Sequence, residues 1–143
     1  IVIGGEVAAV DRAVELLREA GAKRLIPLKV SGPFHTALLE PASQKLAETL
    51  AQVSFSDFTC PLVGNTEAAV MQKEDIAQLL TRQVKEPVRF YESFRVMQEA
   101  GVTNFIEIGP GKVLSGFVKK IDKTAKLANV EDQASLEDLL ENK

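Results

Sequence analysis

Short apolar segments alternate along the chain with segments whose apolar residues recur at the helical period of 3.6. The apolar segments predict strands at 1–4, 25–30, 60–63, 104–108 and 126–130, of which 104–108 is predicted to be buried. The periodic segments predict helices at 6–20, 38–50, 73–85, 88–100 and 112–121, and a closing helix with Ser135 as its N-cap. Because strands that alternate with helices usually pair in parallel, we predict an α/β fold with a mostly parallel sheet.

The composition is that of a globular domain, with 45% hydrophobic and 26% charged residues among 143. The formal charge is −3 without a block of like charges, which argues against a nucleic-acid-binding surface. The single cysteine, Cys60, excludes a disulfide within the chain and a zinc site built from cysteines, and it fits a reducing cytoplasm. No apolar run approaches the ~20 residues of a membrane helix. The chain opens on an apolar segment at Ile1 without a methionine, so we expect a fragment or one half of a nicked protein.

The only histidine, His35, lies in a turn between a predicted strand and a predicted helix, in the segment Ser31-Gly-Pro-Phe-His35. A side chain at such a turn is held by rigid elements yet open to a cleft, as proton transfer requires. Phe34 is expected to form an apolar wall that excludes water from the imidazole. A neutral imidazole can take a proton from a nucleophile if another group holds its second nitrogen. The alternative is that His35 only packs in a core or on the surface.

A nucleophile to accompany this histidine is missing from the sequence. No serine stands in a Gly-x-Ser-x-Gly elbow, the strained turn that exposes a nucleophilic oxygen. Cys60 precedes a proline inside a predicted apolar strand, and we interpret it as a buried, inert thiol. The chain therefore offers a candidate base without a nucleophile.

Residues 106–117, Ile-Glu-Ile-Gly-Pro-Gly-Lys-Val-Leu-Ser-Gly-Phe, predict a strand, a tight turn and a helix. The start of that helix could bind an anionic ligand through backbone N–H groups. The alternative, which we favour, is that the glycines only permit a sharp reversal of the chain. The segment is not a P-loop, because the Gly-Lys-Ser/Thr ending is absent.

Residues 81–90, Thr-Arg-Gln-Val-Lys-Glu-Pro-Val-Arg-Phe, predict a helix that is broken at Pro87. Carbonyl groups in the last turn before such a break have no intrahelical donor, so one of them could face a histidine ring nitrogen. We interpret Arg82, Lys85 and Arg89 as a solvated face. Residues 61–68 predict a strand that ends in a polar loop containing Asn65, at the sheet edge where open α/β sheets bind ligands.

Four segments in this order and spacing resemble the malonyl-CoA:acyl carrier protein transacylase family. They are Ser-Gly-Pro-Phe-His-Thr at 31–36, Pro-Leu-Val-Gly-Asn at 61–65, Arg-Gln-x-x-x-Pro-Val at 82–88 and Glu-Ile-Gly-Pro-Gly-Lys-Val-Leu at 107–114. The resemblance covers essentially the whole chain but only the C-terminal half of that family. It implies an α/β-hydrolase-like core with an inserted ferredoxin-like subdomain. Residues 1–29 would be the second β-α-β half of that subdomain, and residues 30–143 the C-terminal part of the acyltransferase domain.

The resemblance also implies residue roles. His35 matches the catalytic histidine, and Gln83 matches the position whose main-chain carbonyl orients it. Phe34 matches the residue typical of malonyl-specific members, and Asn65 is a weaker candidate for substrate binding. The implied reaction is a ping-pong transfer of malonyl from malonyl-CoA to the phosphopantetheine thiol of acyl carrier protein, in fatty acid biosynthesis. The nucleophilic serine would lie in a missing N-terminal half, so this chain alone is expected to be inactive. No cofactor or metal is expected, and no nucleic acid or membrane partner.

Two other interpretations remain open at this point. The chain could be a fragment of an acyltransferase module from a polyketide or fatty-acid synthase, although the absence of a linker after the polar last helix favours a discrete enzyme. It could also be a non-catalytic α/β module, in which His35 only packs and the Gly-Pro-Gly turn binds an anion or a partner.

Overall fold

The computed structural model describes residues 1–141, which form two compact units. The first unit is Ile1–Arg89, and the second begins at Phe90. The first unit contains α1 (Val7–Glu19), α2 (Glu40–Leu50) and α3 (Ile76–Gln83), with short 3-10 helices at Ala37–Leu39 and Lys73–Asp75. The second contains α4 (Phe90–Glu99), β1 (Asn104–Ile108), α5 (Val113–Ile121), β2 (Lys126–Val130) and α6 (Gln133–Glu141). None of the helices within residues 1–141 has the length and apolar composition of a membrane span.

The core of the first unit forms where α3 packs beside the loop that precedes it. Met71, Ile76 and Leu79 are buried together, and Phe55 and Leu80 pack partly buried against them. Helix α2 packs against α3. One polar side chain is fully buried between these helices: the Ser43 hydroxyl donates a 2.7 Å hydrogen bond to the main-chain oxygen of Thr81.

A tight reversal brings residues 62–64 against residues 69–71. Val63 and Val70 form an isolated antiparallel bridge, and the Met71 N–H donates to the Leu62 oxygen at 2.8 Å. Gly64 lies close to Met71 here, because a Cβ atom at this position would lie 3.0 Å from the Met71 sulfur, and that side chain would have to shift to admit it. This reversal leaves Asn65 in the loop that faces the end of α3, where its side chain contacts Gln83.

In the second unit, β1 and β2 pair in parallel, with Asn104 opposite Lys126 and Ile108 opposite Val130. Parallel pairing requires a crossover, and α5 supplies it. Phe94 of α4 is fully buried, and its ring lies 4.7 Å from the ring of Phe105 on β1. The predicted α/β class with parallel strands is confirmed in this small sheet.

Three predicted strands are wrong. Residues 1–4 and 25–30 form neither a helix nor a strand, and residues 60–63 contribute only the bridge at Val63. A strand exists only where a neighbouring segment accepts and donates its backbone hydrogen bonds, and no described segment does so for 1–4 or 25–30. The apolar side chains in these segments are accordingly exposed, among them Ile26, Leu28 and Val30.

Three further details of the prediction are corrected. Strand β1 is not buried throughout, since Ile106 is 51% exposed and alternate positions face outward. Cys60 is exposed rather than buried, because its segment joins no sheet. Ser135 is not the N-cap of the last helix, which begins two residues earlier, at Gln133. The Asp132 carboxylate caps it by accepting the Ser135 N–H at 2.8 Å, while the Ser135 hydroxyl oxygen accepts the Asp132 N–H at 3.0 Å.

Candidate functional site

His35 lies in the turn between the segment 25–30 and the 3-10 helix Ala37–Leu39. Its φ angle is +61°, in the left-handed region where a residue with a side chain is uncommon. Two hydrogen bonds hold this conformation: the His35 N–H donates to the Val84 oxygen at 3.1 Å, and the Thr36 hydroxyl donates to the Pro33 oxygen at 2.7 Å. The backbone of the histidine is therefore fixed to the end of α3.

The imidazole is fixed to the same segment. His35 Nδ1 lies 2.8 Å from the main-chain oxygen of Gln83 and 3.2 Å from that of Glu86. Carbonyl oxygens only accept hydrogen bonds, so this network assigns the proton to Nδ1. Nε2 then carries the lone pair and can accept a proton from a nucleophile. The sequence had indicated one carbonyl of this broken helix as a partner, whereas Glu86 and Val84 were not anticipated.

An apolar groove of about 290 Å³ opens beside the ring. It is lined by Phe34 and His35 from the turn, Leu46 and Leu50 from α2, and Leu80 and Val84 from the end of α3. Phe34 was expected to shield the imidazole from water. In this chain its side chain is 59% exposed and the histidine is exposed as well, so the wall is open on one side.

Asn65 does not contact His35 directly but touches its partner residue. The Asn65 side-chain amide donates to the Gln83 side-chain oxygen at 3.3 Å, and the Asn65 main-chain oxygen accepts the Arg89 N–H at 2.9 Å. Asn65 and Gln83 also line a smaller cavity of about 30 Å³ beside the reversal at residues 64–71. The structure thus groups Phe34, His35 and Gln83 around one groove and places Asn65 behind Gln83.

Two of the three basic residues near the helix break, Arg82 and Lys85, form ion pairs, which corrects their interpretation as a solvated face, whereas Arg89 is exposed. The Arg82 guanidinium donates to both carboxylate oxygens of Glu86 at 2.8 and 2.9 Å and to Glu67 at 2.6 Å. Lys85 pairs with Glu40 at 2.6 Å. The hydrogen bonds from Arg82 lower the pKa of Glu86, and the hydrogen bond from Lys85 lowers that of Glu40. The pair between Arg82 and Glu86 joins the segment after α3 to the last turn of α3, and the pair between Lys85 and Glu40 joins that segment to α2.

The helix start that follows the Gly-Pro-Gly turn already binds a carboxylate, that of Glu107. Gly109 and Gly111 have φ angles of +136° and +83°, which only glycine adopts without strain. The Glu107 carboxylate accepts the N–H groups of Leu114 at 3.0 Å and Ser115 at 2.8 Å, in the first turn of α5. Hydrogen bonds from Ser115 and Leu114 hold the pKa of Glu107 below its usual value. Glu107 stands where an external anion would bind, so the turn serves the chain reversal that we favoured from the sequence.

Within the described residues, no three His, Cys, Asp or Glu side chains are grouped so that they could hold a metal ion. A histidine with Nδ1–H held by a peptide oxygen and Nε2 left to accept a proton is the arrangement of a general base.

Known proteins that resemble this chain include malonyl-transferring enzymes that act with acyl carrier protein. Malonyl CoA-acyl carrier protein transacylase of Bacillus subtilis (strain 168) is 49% identical over 138 residues, which are 96% of this chain and 44% of the relative. A crystal structure described as MCAT from Streptococcus pneumoniae is 90% identical, with a TM-score of 0.93, over 97% of this chain and 46% of that one. A type II PKS acyl-carrier protein in complex with its malonyl-transacylase gives a TM-score of 0.91 at 44% identity, over 97% of this chain and 45% of that chain.

The similarity extends over nearly all of this chain but over less than half of each relative. The chain spans about 44% of the length of the curated relatives it matches. No protein-family model matches the sequence.

Proposed function

Because this chain matches the C-terminal half of malonyl-CoA–acyl carrier protein transacylases, we propose that it supplies the general base for transfer of a malonyl group to acyl carrier protein. The observation that carries this proposal is the 2.8 Å contact between His35 Nδ1 and the Gln83 main-chain oxygen. With Nδ1 as the donor, Nε2 of the neutral imidazole is the nitrogen that can accept a proton, and His35 lines an open apolar groove. The nucleophilic serine is proposed to lie in the half of the enzyme that this chain does not contain.

The proposed reaction has two acyl transfers. In the first, His35 Nε2 takes the proton of the serine hydroxyl as its oxygen attacks the malonyl thioester. The tetrahedral intermediate expels coenzyme A thiolate, which takes the proton from the imidazolium, and a malonyl-serine ester remains. In the second, His35 deprotonates the phosphopantetheine thiol of acyl carrier protein, whose sulfur attacks the ester. The serine oxygen leaves and takes the proton from the imidazolium, which gives malonyl-acyl carrier protein and the free serine. Neither step calls for a cofactor or a metal.

The Gln83 carbonyl replaces the carboxylate of a Ser-His-Asp triad in this proposal. A carbonyl selects the tautomer and orientation of the ring as a carboxylate does, but it stabilises the imidazolium less, because it bears no full charge. The second oxygen, from Glu86 at 3.2 Å, adds a further dipole at the same nitrogen. The groups that bind the oxyanion and the malonyl carboxylate are proposed to lie in the missing half, as the resemblance implies.

Phe34 is proposed to favour malonyl over branched acyl groups. It stands directly before His35 and lines the same groove, so it lies within reach of an acyl group that is bound near the imidazole. Replacing it by alanine in the complete enzyme is expected to raise the kcat/KM ratio for methylmalonyl-CoA over malonyl-CoA, because the branched group gains space. Asn65 remains a weaker substrate-binding proposal, since its side chain contacts Gln83.

The finer fold assignment is likewise a proposal. We propose that residues 30–143 are the C-terminal part of an α/β-hydrolase-like acyltransferase domain and that residues 1–29 are the second β-α-β half of a ferredoxin-like subdomain. Two observations support it. Helix α1 lies between the segments 1–4 and 25–30, and the apolar side chains of both segments are exposed. Such segments would gain hydrogen-bond partners from strands of the missing half. A cytoplasmic location, with acyl carrier protein as partner, belongs to the same proposal.

The non-catalytic binding module receives no support from the turn on which it depended, since Glu107 occupies the first turn of α5. Fragment complementation tests whether this chain supplies the base and the missing half supplies the nucleophile. This chain and the missing half are produced as separate polypeptides and assayed alone and mixed, for malonyl transfer from malonyl-CoA to acyl carrier protein. We expect activity only in the mixture, and none when His35→Ala is used. Transfer by this chain alone, or undiminished transfer with His35→Ala, would contradict the proposal.

A further inference from the structure

We propose that Pro87 is a positioning residue for His35, because its missing N–H leaves the Gln83 carbonyl open to the imidazole. The inference rests on the proposed role of His35 as a base. In an α-helix, the oxygen of residue 83 would accept the N–H of residue 87, four positions later. Proline has no N–H, so this oxygen has no local donor.

The hydrogen bonds around the end of α3 show a last turn that is tightened before the helix stops. The Lys85 N–H donates to the Arg82 oxygen at 3.1 Å, at a spacing of three residues, and the Glu86 N–H donates to the same oxygen at 2.9 Å, at the helical spacing of four. The next hydrogen bond in the series would join residue 87 to Gln83. The series stops there, and the Gln83 oxygen instead contacts His35 Nδ1 at 2.8 Å across 48 residues of sequence.

Three of the four residues from 83 to 86 contact the histidine through their main-chain oxygens. Gln83 and Glu86 contact Nδ1 through their main-chain oxygens, and Val84 accepts the His35 main-chain N–H. A residue before proline is disfavoured in the helical conformation, so the helix cannot continue through Glu86, and α3 ends at Gln83. The bidentate ion pair between Arg82 and Glu86 holds Glu86 against the last turn of α3.

An N–H group at position 87 would compete with the imidazole for one oxygen. A carbonyl has two lone pairs, so competition weakens the contact with His35 rather than abolishing it. One hydrogen bond contributes about 1 kcal/mol net, and about 1.4 kcal/mol corresponds to a tenfold change in rate. We therefore expect kcat to fall by up to about fivefold when an N–H is introduced, with little change in KM.

The test uses three variants of the complete enzyme, two changed at Pro87 and one changed at Pro27. Pro87→Ala introduces the competing N–H, and replacement of Pro87 by N-methylalanine removes the ring while keeping the N–H absent. Pro27→Ala, in the segment 25–30, is the matched control for replacing a proline outside α3 and the turn that follows it. For each protein, kcat and KM for malonyl-CoA are measured, together with the Nδ1–H resonance of His35 in ¹⁵N-histidine-labelled protein.

Pro87→Ala is expected to lower kcat and to move the Nδ1–H resonance, whereas N-methylalanine at 87 and Pro27→Ala leave both at their original values. An unchanged kcat and resonance in Pro87→Ala would overturn the inference. So would a loss that N-methylalanine fails to restore, because the ring rather than the N–H would then be responsible. The resonance does not depend on transferase activity, so it decides this inference even if His35→Ala shows the proposed function to be wrong.

Discussion

The imidazole Nδ1 atom of His35 and the main-chain oxygen of Gln83 lie 2.8 Å apart, although 48 residues separate them in sequence. The contact joins a turn that follows the segment 25–30 to the last residue of a helix. It fixes the ring through a backbone atom, which no substitution at position 83 removes. The nature of the side chain at position 83 should therefore matter less than the path of the chain around it.

Gln83→Ala is the direct test of a main-chain role. It keeps the carbonyl and removes the side chain beyond Cβ, including the oxygen that accepts from Asn65 at 3.3 Å. We expect kcat for malonyl transfer in the complete enzyme to stay within about threefold of wild type, a change of less than 1 kcal/mol in activation free energy. A hundredfold loss would show that the Gln83 side chain takes part in the reaction.

Ser43→Ala should weaken the packing of α2 on α3. The Ser43 side chain is buried, and its hydroxyl is the donor to the Thr81 oxygen at 2.7 Å. Losing this donor leaves a buried carbonyl unpaired, so we expect the free energy of unfolding to fall by about 1–2 kcal/mol in urea titrations. Ser54→Ala, at an exposed position, should change it by less than about 0.5 kcal/mol. Equal effects of the two substitutions would count against the importance of the buried hydrogen bond.

Phe94→Ala should have the largest effect on the stability of the second unit. Phe94 is fully buried, and its ring lies 4.7 Å from that of Phe105. Truncation creates a cavity and costs about 3–5 kcal/mol, which denaturant titration can measure. Tyr91→Ala on the same helix is the control, because Tyr91 is 57% exposed. A loss no larger than that of Tyr91→Ala would mean that Phe94 is not the core residue of this unit.

Glu107→Gln should change how stability depends on pH. The pKa of Glu107 is lowered in the folded state by hydrogen bonds from Ser115 and Leu114. A lowered pKa means that the carboxylate stabilises the fold above the ordinary value of 4.5, and that this contribution is lost as pH falls through the folded value.

We therefore expect Glu107→Gln to be less stable than wild type at pH 7, with a difference that shrinks towards pH 3. Urea midpoints at both pH values measure it. Glu99→Gln, at an exposed position on α4, is the control. A difference between Glu107→Gln and wild type that stayed constant with pH would contradict the contribution of the carboxylate charge.

The sequence predicts helices well in this chain because their pattern is local. The periodic segments correspond to α1, α2, α4 and α5 within one to three residues at each end. The strand predictions at 1–4, 25–30 and 60–63 failed because a strand depends on a partner, and an apolar run contains no information about whether one is present. Ser135 failed as an N-cap for a smaller reason: Asp132, three residues earlier, offers the Ser135 N–H a charged acceptor.

The candidate site was predictable only in part. Pro87 indicated that carbonyls at the end of α3 lack a donor, and the resemblance directed attention to Gln83. The second oxygen, from Glu86, and the hydrogen bond from the His35 N–H to Val84 depend on how a turn and a helix end meet in space. The ion pair between Arg82 and Glu86 was missed as well, because a basic residue near a helix end is usually solvated.

The most direct measurement of the central claim is kcat for malonyl transfer by the complete enzyme carrying His35→Ala. Lys73→Met is assayed beside it, since that substitution removes only an ion pair with Asp57. Loss of a general base is expected to lower kcat by about 10²–10⁴-fold, while Lys73→Met keeps the wild-type value. A folded His35→Ala enzyme that transfers malonyl at the wild-type rate would contradict the claim that this histidine is the base.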